Sequence, residues 1–541
     1  MSTNDSKSDS GDGGLVEPVK RRLFDTKGLK ALGRSALWMG TFIALFYAIE
    51  NYRGHSAWGE ARRKLEAAGI PYEYRSIIPK PVPDEQNFGA LPIVTNWFAK
   101  KSGEESAKPP PDYFQDATGR IKKLRTRVTE AQSRTLIDLP AWARAFETRT
   151  NLTVSGPAGD GPEISPTAQD LMTPVARAEA APVVLAAMDV ERARFDALRE
   201  GLQRPYCRYP VDYSSENAFA MLLPHLSRLK DLSQRLQLHG SAELAAGNPA
   251  GALADVRLMF GLGDTLKGDH ILISHLVRIA IWNLALQVVW EGLQEHRWSP
   301  QLLEELGQML AGGNFVAELE VALNGERAGA ISVLDYCRRN HNFAILNQTA
   351  DSDQEGTPGP SAFGRLVPNG WYLMEMASYS RRMDGFLAGI DPAGGRVNAG
   401  VIKAGAQAIT DGYGGGFWGF IQLFMRHELA VRALMPAMVN TGRLSAAGQA
   451  TRDEARIACA IERHRIANGS IPESLDVLKP FFPAGMPVDP INGGAYHFKP
   501  QGDTYVLYSV AWDEKDDGGK PATGLTEKIE GDWTWGWMFR R

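Results

Sequence analysis

The sequence predicts a mainly α-helical protein with one N-terminal transmembrane helix and a small C-terminal α+β module that contains an antiparallel hairpin. Three observations predict this architecture. Ser35 to Ile49 is a run of fifteen residues without a charge. Residues 170–345 carry apolar side chains at the spacing of helices. Alternating, β-rich stretches are confined to the last ~75 residues of the chain.

The N-terminal apolar run is long enough to cross a bilayer. With Leu29–Arg34, whose basic side chains reach toward the headgroups, it forms a helix of about 31 Å at 1.5 Å per residue. Trp38, Tyr47 and Tyr52 suit the membrane interfaces. A cleaved signal peptide needs small residues after the run, and Tyr47-Ala48-Ile49 does not supply them. A buried soluble helix is the other alternative.

The charges around the run predict the orientation. Six Lys or Arg residues lie in the twenty residues before Ser35, and four in the twenty that start at Glu50. The positive-inside rule then puts the N-terminus in the cytoplasm. We expect a single-pass protein of the bacterial inner membrane, with the bulk of the chain in the periplasm.

The patterns divide the chain into six regions. These are a disordered cytoplasmic tail at 1–28, the anchor at 29–52, a helix and Pro-rich linker at 53–168, a helical-hairpin domain at 169–345, Gly-rich loops and helices at 346–444, and the α+β module at 445–541. Within them, we expect an extended connection at 71–118, one amphipathic helix at 119–150, one helix at 176–201, a loop at 349–370, and separate helices at 420–439 and 445–468.

The 169–345 region contains a helical hairpin. Leu222–Ala246 and Pro249–Lys267 are helical patterns joined by the turn Gly247-Asn248. The small residues in LHGSAELAAGNPAGALADVRLMFGLGDTL resemble those of a tetratricopeptide hairpin, which implies close helix packing and protein partners. The helix from Asp269 to Gln294 is apolar on most faces, so we expect it to be the buried central helix.

The stretch Ala455–Gly519 resembles the C-terminal part of the type II secretion major pseudopilins. The shared features are a helix, a Gly-x-x-Pro-x-x-Leu link (Gly469, Pro472, Leu475), an Asp-Pro turn (Asp489, Pro490), glycines, and a β-hairpin that ends in Tyr508-Ser509 and an acidic loop. A pseudopilin carries its hydrophobic helix directly before this module, whereas the apolar run here lies near residue 40. The resemblance therefore implies the fold and not assembly into a pilus.

The same resemblance implies a calcium site in the acidic loop. The residues carried over are Asp513, Asp516 and Asp517, and clustered carboxylates are the ligand type that calcium prefers. The alternative is a solvated acidic turn, and Lys515 within the loop favours that alternative.

The aromatic tail from Trp533 predicts either a terminal strand or an exposed edge that binds a partner.

The sequence contains no specific catalytic constellation, and the one short match, Ser227-x-x-Lys230, arises easily by chance on a helix. The 541 residues contain no P-loop, no His-Glu-x-x-His and no Gly-x-Ser-x-Gly. A net charge of -4 gives no basic field for nucleic acid. Three cysteines cannot form a disulfide framework, although Cys207 and Cys337 could pair in an oxidising compartment.

These observations predict location and architecture more closely than activity. We expect a non-catalytic structural or protein-interaction component, for example of a secretion or envelope assembly, with protein partners in the envelope. The alternative is an extracytoplasmic hydrolase whose site is assembled from distant residues. A sensor is disfavoured because the cytoplasmic tail is too short for a signalling domain. The oligomeric state stays open.

Overall fold

The computed structural model describes residues 26–99, 114–118, 134–150, 176–215, 217–343, 361–410, 422–523 and 530–536. Its helices are α1 (Thr26–Ala67), α2 (Pro92–Thr95), α3 (Leu139–Thr150), α4 (Arg177–Met188), α5 (Arg192–Gly201), α6 (Pro224–Ala245), α7 (Pro249–Asp264), α8 (Leu272–Gln294), α9 (Pro300–Leu310), α10 (Phe315–Asn340), α11 (Ala362–Leu366), α12 (Asn369–Leu387), α13 (Ala399–Thr410) and α14 (Leu429–Asn468). Its strands are β1 (Ile390–Asp391), β2 (Arg396–Val397), β3 (His497–Gln501), β4 (Thr504–Ser509) and β5 (Trp533–Thr534).

The N-terminal apolar run belongs to one unbroken helix of 42 residues. No proline interrupts α1, and its polar second half carries ion pairs one turn apart, such as Lys64 with Glu60 at 3.1 Å and Arg62 with Glu66 at 2.8 Å. The expected anchor at 29–52 and the first part of the region at 53–168 therefore form a single continuous helix. By rise per residue, α1 is about 63 Å long.

The helical hairpin forms where the sequence predicts it. Gly247, at φ +80°, makes the turn between α6 and α7, and the Asn248 side chain accepts from the Gly251 N–H at 3.1 Å. The absence of a side chain at Gly240 lets α6 approach Val288 of α8 closely. Helix α8 packs on both hairpin helices and is mostly buried, which confirms its central place. The tetratricopeptide resemblance itself stays a prediction.

Two expected boundaries are wrong in the helical regions. The helix expected at 176–201 is divided by a 3₁₀ turn at Asp189–Glu191. The helices expected at 420–439 and 445–468 are one helix of 40 residues from Leu429. Gly442 falls in the expected gap between them, but it lies inside α14, where a side chain would contact Ile402 of α13. It permits close packing of two helices and does not end one.

Two expected loops are also partly structured. The described part of the 71–118 connection forms short helical turns that bury Phe88 and Val94 against the domain. Within the loop expected at 349–370, α11 forms and α12 begins at Asn369. The glycine-rich run 412–419 lies outside the described residues, and so does 119–133 of the helix expected at 119–150. In the described remainder the expected helix is wrong at 134–138, which is not helical, and α3 forms from Leu139.

The C-terminal module contains the expected hairpin. Strands β3 and β4 pair antiparallel across Gly502, which has φ +61°, and β5 pairs with the end of β4. The buried Asp489 carboxylate fixes the preceding turn, because it accepts from the N–H groups of Ile491 at 2.8 Å and Val510 at 3.1 Å. Trp533 is buried in β5, as expected for a terminal strand. The pseudopilin resemblance beyond this hairpin stays a prediction.

Helix α14 joins the two large clusters of buried side chains. Ala455, Ala458 and Cys459 belong to the cluster built on the α6–α7 hairpin and α8. Ile457 and Ile461 belong to the cluster that includes α10, α12 and the C-terminal sheet. Because neighbouring residues of one helix face different clusters, α14 holds the hairpin domain and the C-terminal module together.

The start of α14 is held by a carboxylate from α12. The Glu375 oxygens accept from the backbone N–H groups of Leu429 at 3.0 Å and Ala430 at 3.1 Å, which would otherwise have no partner within the helix. Burial raises the pKa of Glu375 to about 7, although these two hydrogen bonds oppose the rise.

This cap predicts a pH-dependent effect of Glu375→Gln. A carboxyl whose folded pKa lies above its unfolded value of about 4.5 stabilises the fold fully below that value, and the contribution is lost as pH rises through about 7. The variant should therefore gain stability relative to the wild type between pH 5 and pH 8, by a few kcal/mol at most. Urea unfolding at both pH values measures this, with the same substitution at the solvent-exposed Glu85 as the control.

Candidate functional site: the base of the N-terminal helix

The apolar part of α1 is exposed on all sides within the described residues. Leu37, Trp38 and Met39 are consecutive, so they point to three different faces of the helix, and all are more than 60% exposed. The other exposed large apolar side chains of this part are Leu32, Phe42, Ile43, Leu45, Phe46 and Ile49. By contrast, 67% of the most apolar stretch of α8 is buried, as is typical of a helix in a protein core.

One face of α1 becomes buried from Glu50 onward, where α1 meets α12, whereas Tyr52 on another face stays 76% exposed. The Glu50 carboxylate is buried and accepts from Trp371 Nε1 at 2.9 Å. One residue on, Asn51 Oδ1 accepts from the Gly370 N–H at 2.8 Å. One turn on, Gly54 lies against the Gly370 backbone, where a Cβ on either glycine would overlap the other helix. We call this contact, of Glu50, Asn51 and Gly54 in α1 with Gly370 and Trp371 in α12, the junction.

The junction is polar but electrically balanced. Arg53 pairs with Glu50 at 2.7 Å, so the buried carboxylate has both a cation and the indole N–H as partners. His427 packs edge-on against Trp371, with the ring centres 5.1 Å apart. Burial lowers the pKa of His427 to about 4, with Glu50 opposing that change, so its ring is neutral at pH 7.

Helices α1 and α12 run parallel from the junction. Glu50 contacts Trp371 near the start of α12. Ten residues further along each helix, the charge of Arg381 is close enough to Glu60 to affect its carboxyl group. The pKa of the Glu60 carboxyl is lowered by Lys64 and, to a lesser extent, by Arg381. The second half of α1 is thus packed lengthwise on the domain, while its first half extends beyond it.

The acidic loop does not gather its carboxylates around one point. Asp516 accepts from the Tyr508 hydroxyl at 3.0 Å and the Gly518 N–H at 2.9 Å, and these bonds, with Gly518 first, lower its pKa. Asp513 accepts from the Lys515 N–H. Among the described residues, no three His, Cys, Asp or Glu side chains form a group that could hold a metal. Calcium binding by Asp513, Asp516 and Asp517 stays a prediction without geometric support.

A serine, a histidine and a carboxylate do come together in the core. His275 Nε2 lies 2.8 Å from Ser445 Oγ, and its Nδ1 lies 3.9 Å from Glu318 Oε2. However, Ser445 is fully buried, and the Glu318 carboxylate forms an ion pair with Arg278. Burial, and then the charge of Arg278, lower the pKa of His275 to about 3, which makes the ring a poor general base.

A cavity of about 300 Å³ opens between α2, α5 and α6. Arg235 forms its floor and pairs with Glu191 and Asp231, and Arg194 pairs with Glu191 as well. The lining residues are Ile93, Asn96, Trp97, Arg194, Arg228, Asp231, Leu232 and Arg235. This set contains no serine, cysteine or histidine, and its one carboxylate, Asp231, is paired with Arg235 at 3.0 Å.

None of the three cysteines is in a disulfide. Cys207 packs at the edge of the hairpin cluster, whereas Cys337 is buried in a separate cluster near Trp371. The pairing that the sequence left open is therefore not formed. Burial raises the pKa of Cys207 and Cys459 to about 12, so these thiols are weak nucleophiles.

Comparison of the chain with protein-family models, with curated proteins and with solved structures finds no match. The junction is a feature that sequence reasoning missed. The only trace of it in the local sequence is that a charged residue, an amide and a glycine (Glu50, Asn51 and Gly54) follow the apolar run within about one helical turn. Their partner, Gly370, lies more than 300 residues away, and no local pattern connects the two.

The glycine contact predicts that Gly54→Ala weakens the junction. The added methyl group would overlap the Gly370 backbone, and forced separation of packed elements costs about 1–3 kcal/mol. We expect faster tryptic cleavage after Arg53, which is exposed but requires local opening of α1 to be cut. Limited proteolysis of the full chain in detergent measures the rate.

Gly59→Ala is the matched control. Gly59 lies in the same helix, and no atom lies within 4 Å of the position that an added methyl group would take. Alanine there should strengthen the helix by about 1 kcal/mol. If both variants are cut at the wild-type rate, the close contact at Gly54 does not hold α1 on the domain.

Proposed function

We propose that the protein is a non-catalytic, single-pass membrane protein that presents its helical domain at the membrane surface as a structural or protein-interaction component of the bacterial envelope. The observation that carries the proposal is the division of α1 at Glu50. Before this residue, apolar side chains are exposed on every face, and after it the same helix is packed on α12. An apolar helix exposed on every face in water is unfavourable, whereas in lipid it is the favoured state.

The proposed orientation puts the N-terminus in the cytoplasm and the domain in the periplasm. It rests on the excess of Lys and Arg before Ser35. In spheroplasts, protease should digest the domain without lysis of the inner membrane. Digestion only after lysis would reverse the orientation and leave the anchor itself in place.

The proposed partners are other envelope proteins, for example in a secretion assembly. The support is the α6–α7 hairpin, whose type commonly offers grooves to protein ligands, and this is an argument by analogy of fold. Chemical crosslinking in native membranes, followed by mass spectrometry, tests it. Recovery of a defined envelope complex is expected, and recovery of this chain alone would contradict the scaffold role.

The anchor predicts that Ile43→Arg combined with Leu45→Arg releases the protein from membranes. Each arginine near the centre of a spanning helix costs about 2.5–3.5 kcal/mol of insertion free energy. We expect the variant in the soluble fraction after alkaline carbonate extraction, while the wild type stays with the membrane pellet. Circular dichroism of the released protein checks that the domain is folded.

Leu222→Arg is the control for this double substitution. Leu222 is a comparably exposed leucine of the domain, 64% exposed, and it precedes α6. Its substitution should leave the protein in the pellet. A wild-type protein that carbonate itself extracts would show that α1 does not span the bilayer.

The hydrolase alternative has one specific observation in its favour, the pair Ser445 and His275 at 2.8 Å. A serine-directed fluorophosphonate probe distinguishes the two proposals. Because Ser445 is fully buried, we expect no labelling of the folded protein. Labelling that disappears in Ser445→Ala would favour the hydrolase.

A further inference from the structure

The segments around Leu366 and Trp371 contact the last turns of the apolar run, and a third segment, around Phe424, packs on Trp371. The Tyr47 hydroxyl donates to the Leu366 carbonyl of α11 at 2.5 Å. The Phe46 ring packs edge-on against Trp371, with ring centres 6.1 Å apart. Phe424 packs against the same indole at 4.7 Å. The segments around Leu366 and Phe424 are therefore held at the level of α1 where its apolar surface ends.

Helix geometry fixes the depth of these segments. Side chains of an α-helix lean toward its N-terminus, so the Tyr47 hydroxyl lies no farther along α1 than its own Cα. The Leu366 carbonyl that it contacts must lie at the same height. Helix α12 begins just after, at Asn369, and runs parallel to α1 away from this level. The chain before Asn369 thus lies on the side of the domain from which the exposed half of α1 extends.

The side chains at this level are apolar and exposed. Leu366 is 71% exposed and Met425 is 60% exposed. Arg365, beside Leu366, is exposed too. This combination of large apolar residues with a neighbouring arginine suits the boundary between acyl chains and headgroups, where the arginine reaches the phosphates.

We propose that Leu366 and Met425 insert into the outer interfacial layer of the same bilayer that holds α1, and so form a second membrane contact. The inference rests on the proposed anchor. We take lipid as the partner of this surface. If lipid surrounds the last apolar turns of α1, it also surrounds Leu366 and Met425, which lie at the same depth. With Leu366 and Met425 inserted beside α1, the domain cannot tilt freely about the anchor.

Environment-sensitive fluorescence in vesicles tests this contact. Single cysteines are introduced by Leu366→Cys and by Met425→Cys in the full chain, labelled with an NBD fluorophore, and reconstituted with phosphatidylcholine and phosphatidylglycerol. The exposed cysteine is labelled selectively because Cys337 and Cys459 are buried and Cys207 is half-buried; the labelled wild type gives the background. Lipids that carry a nitroxide near the head of the acyl chain should quench both labels roughly twofold.

Two further positions separate the failure of this inference from failure of the anchor. Val190 is 72% exposed in the turn between α4 and α5, and a label at Val190→Cys should not be quenched. A label at Phe42→Cys should be quenched by nitroxide deep in the acyl chain if α1 spans the bilayer. Quenching at 42 without quenching at 366 and 425 overturns the second contact alone, and no quenching at 42 overturns the anchor.

Other occupants of the surface give distinct results. A second copy of the chain would shift the emission of the labels at 366 and 425 to the blue without quenching by lipid nitroxides. Energy transfer between donor-labelled and acceptor-labelled copies would then rise with the protein-to-lipid ratio. Either observation would contradict insertion into lipid.

Discussion

The close contact between Gly54 and Gly370 is the constraint on which the arrangement of the molecule depends. It lets α1 and α12 touch through their backbones, and Glu50 and Asn51 then reach partners on α12. An anchor joined by a flexible segment would leave the domain free to rotate. Here the proposed anchor is the first half of a helix whose second half belongs to the domain, so the direction of α1 in the membrane determines the direction of the domain.

Helix α14 carries this constraint to the far end of the chain. It starts at the Glu375 cap on α12 and ends in the C-terminal module. Glu454, in its middle, is fully buried, and its pKa is raised well above the ordinary value by burial and then by the charges of Asp489 and Asp453. A backbone hydrogen bond from Ser509 acts against this rise in pKa and joins Glu454 of α14 to the last residue of β4.

The sequence predicts those parts of the fold whose signals are local. Ser35–Ile49, the turn at Gly247 and the β-turn at Gly502 each carry their own pattern, and each lies where that pattern predicts. The expected gap between 439 and 445 is wrong, and Gly442 within it shows why: a glycine that ends a helix and one that admits a neighbouring helix look alike in sequence, and only the packing of Ile402 distinguishes them. The junction escapes prediction for the same reason. Glu50 is an ordinary residue after an apolar run until Trp371 comes within 2.9 Å.

The proposed periplasmic location would place the three thiols in an oxidising compartment. Disulfide formation begins with a thiolate, and burial raises the pKa of Cys207 and Cys459 so far that the thiolate is rare at pH 7. Cys337 is fully buried. Cys337 and Cys459 therefore act as small apolar side chains within their clusters, and Cys207 packs against the edge of one. Stability then comes from the two large clusters that α14 joins, which is why a change at the Glu375 cap should affect the whole domain and not only the end of one helix.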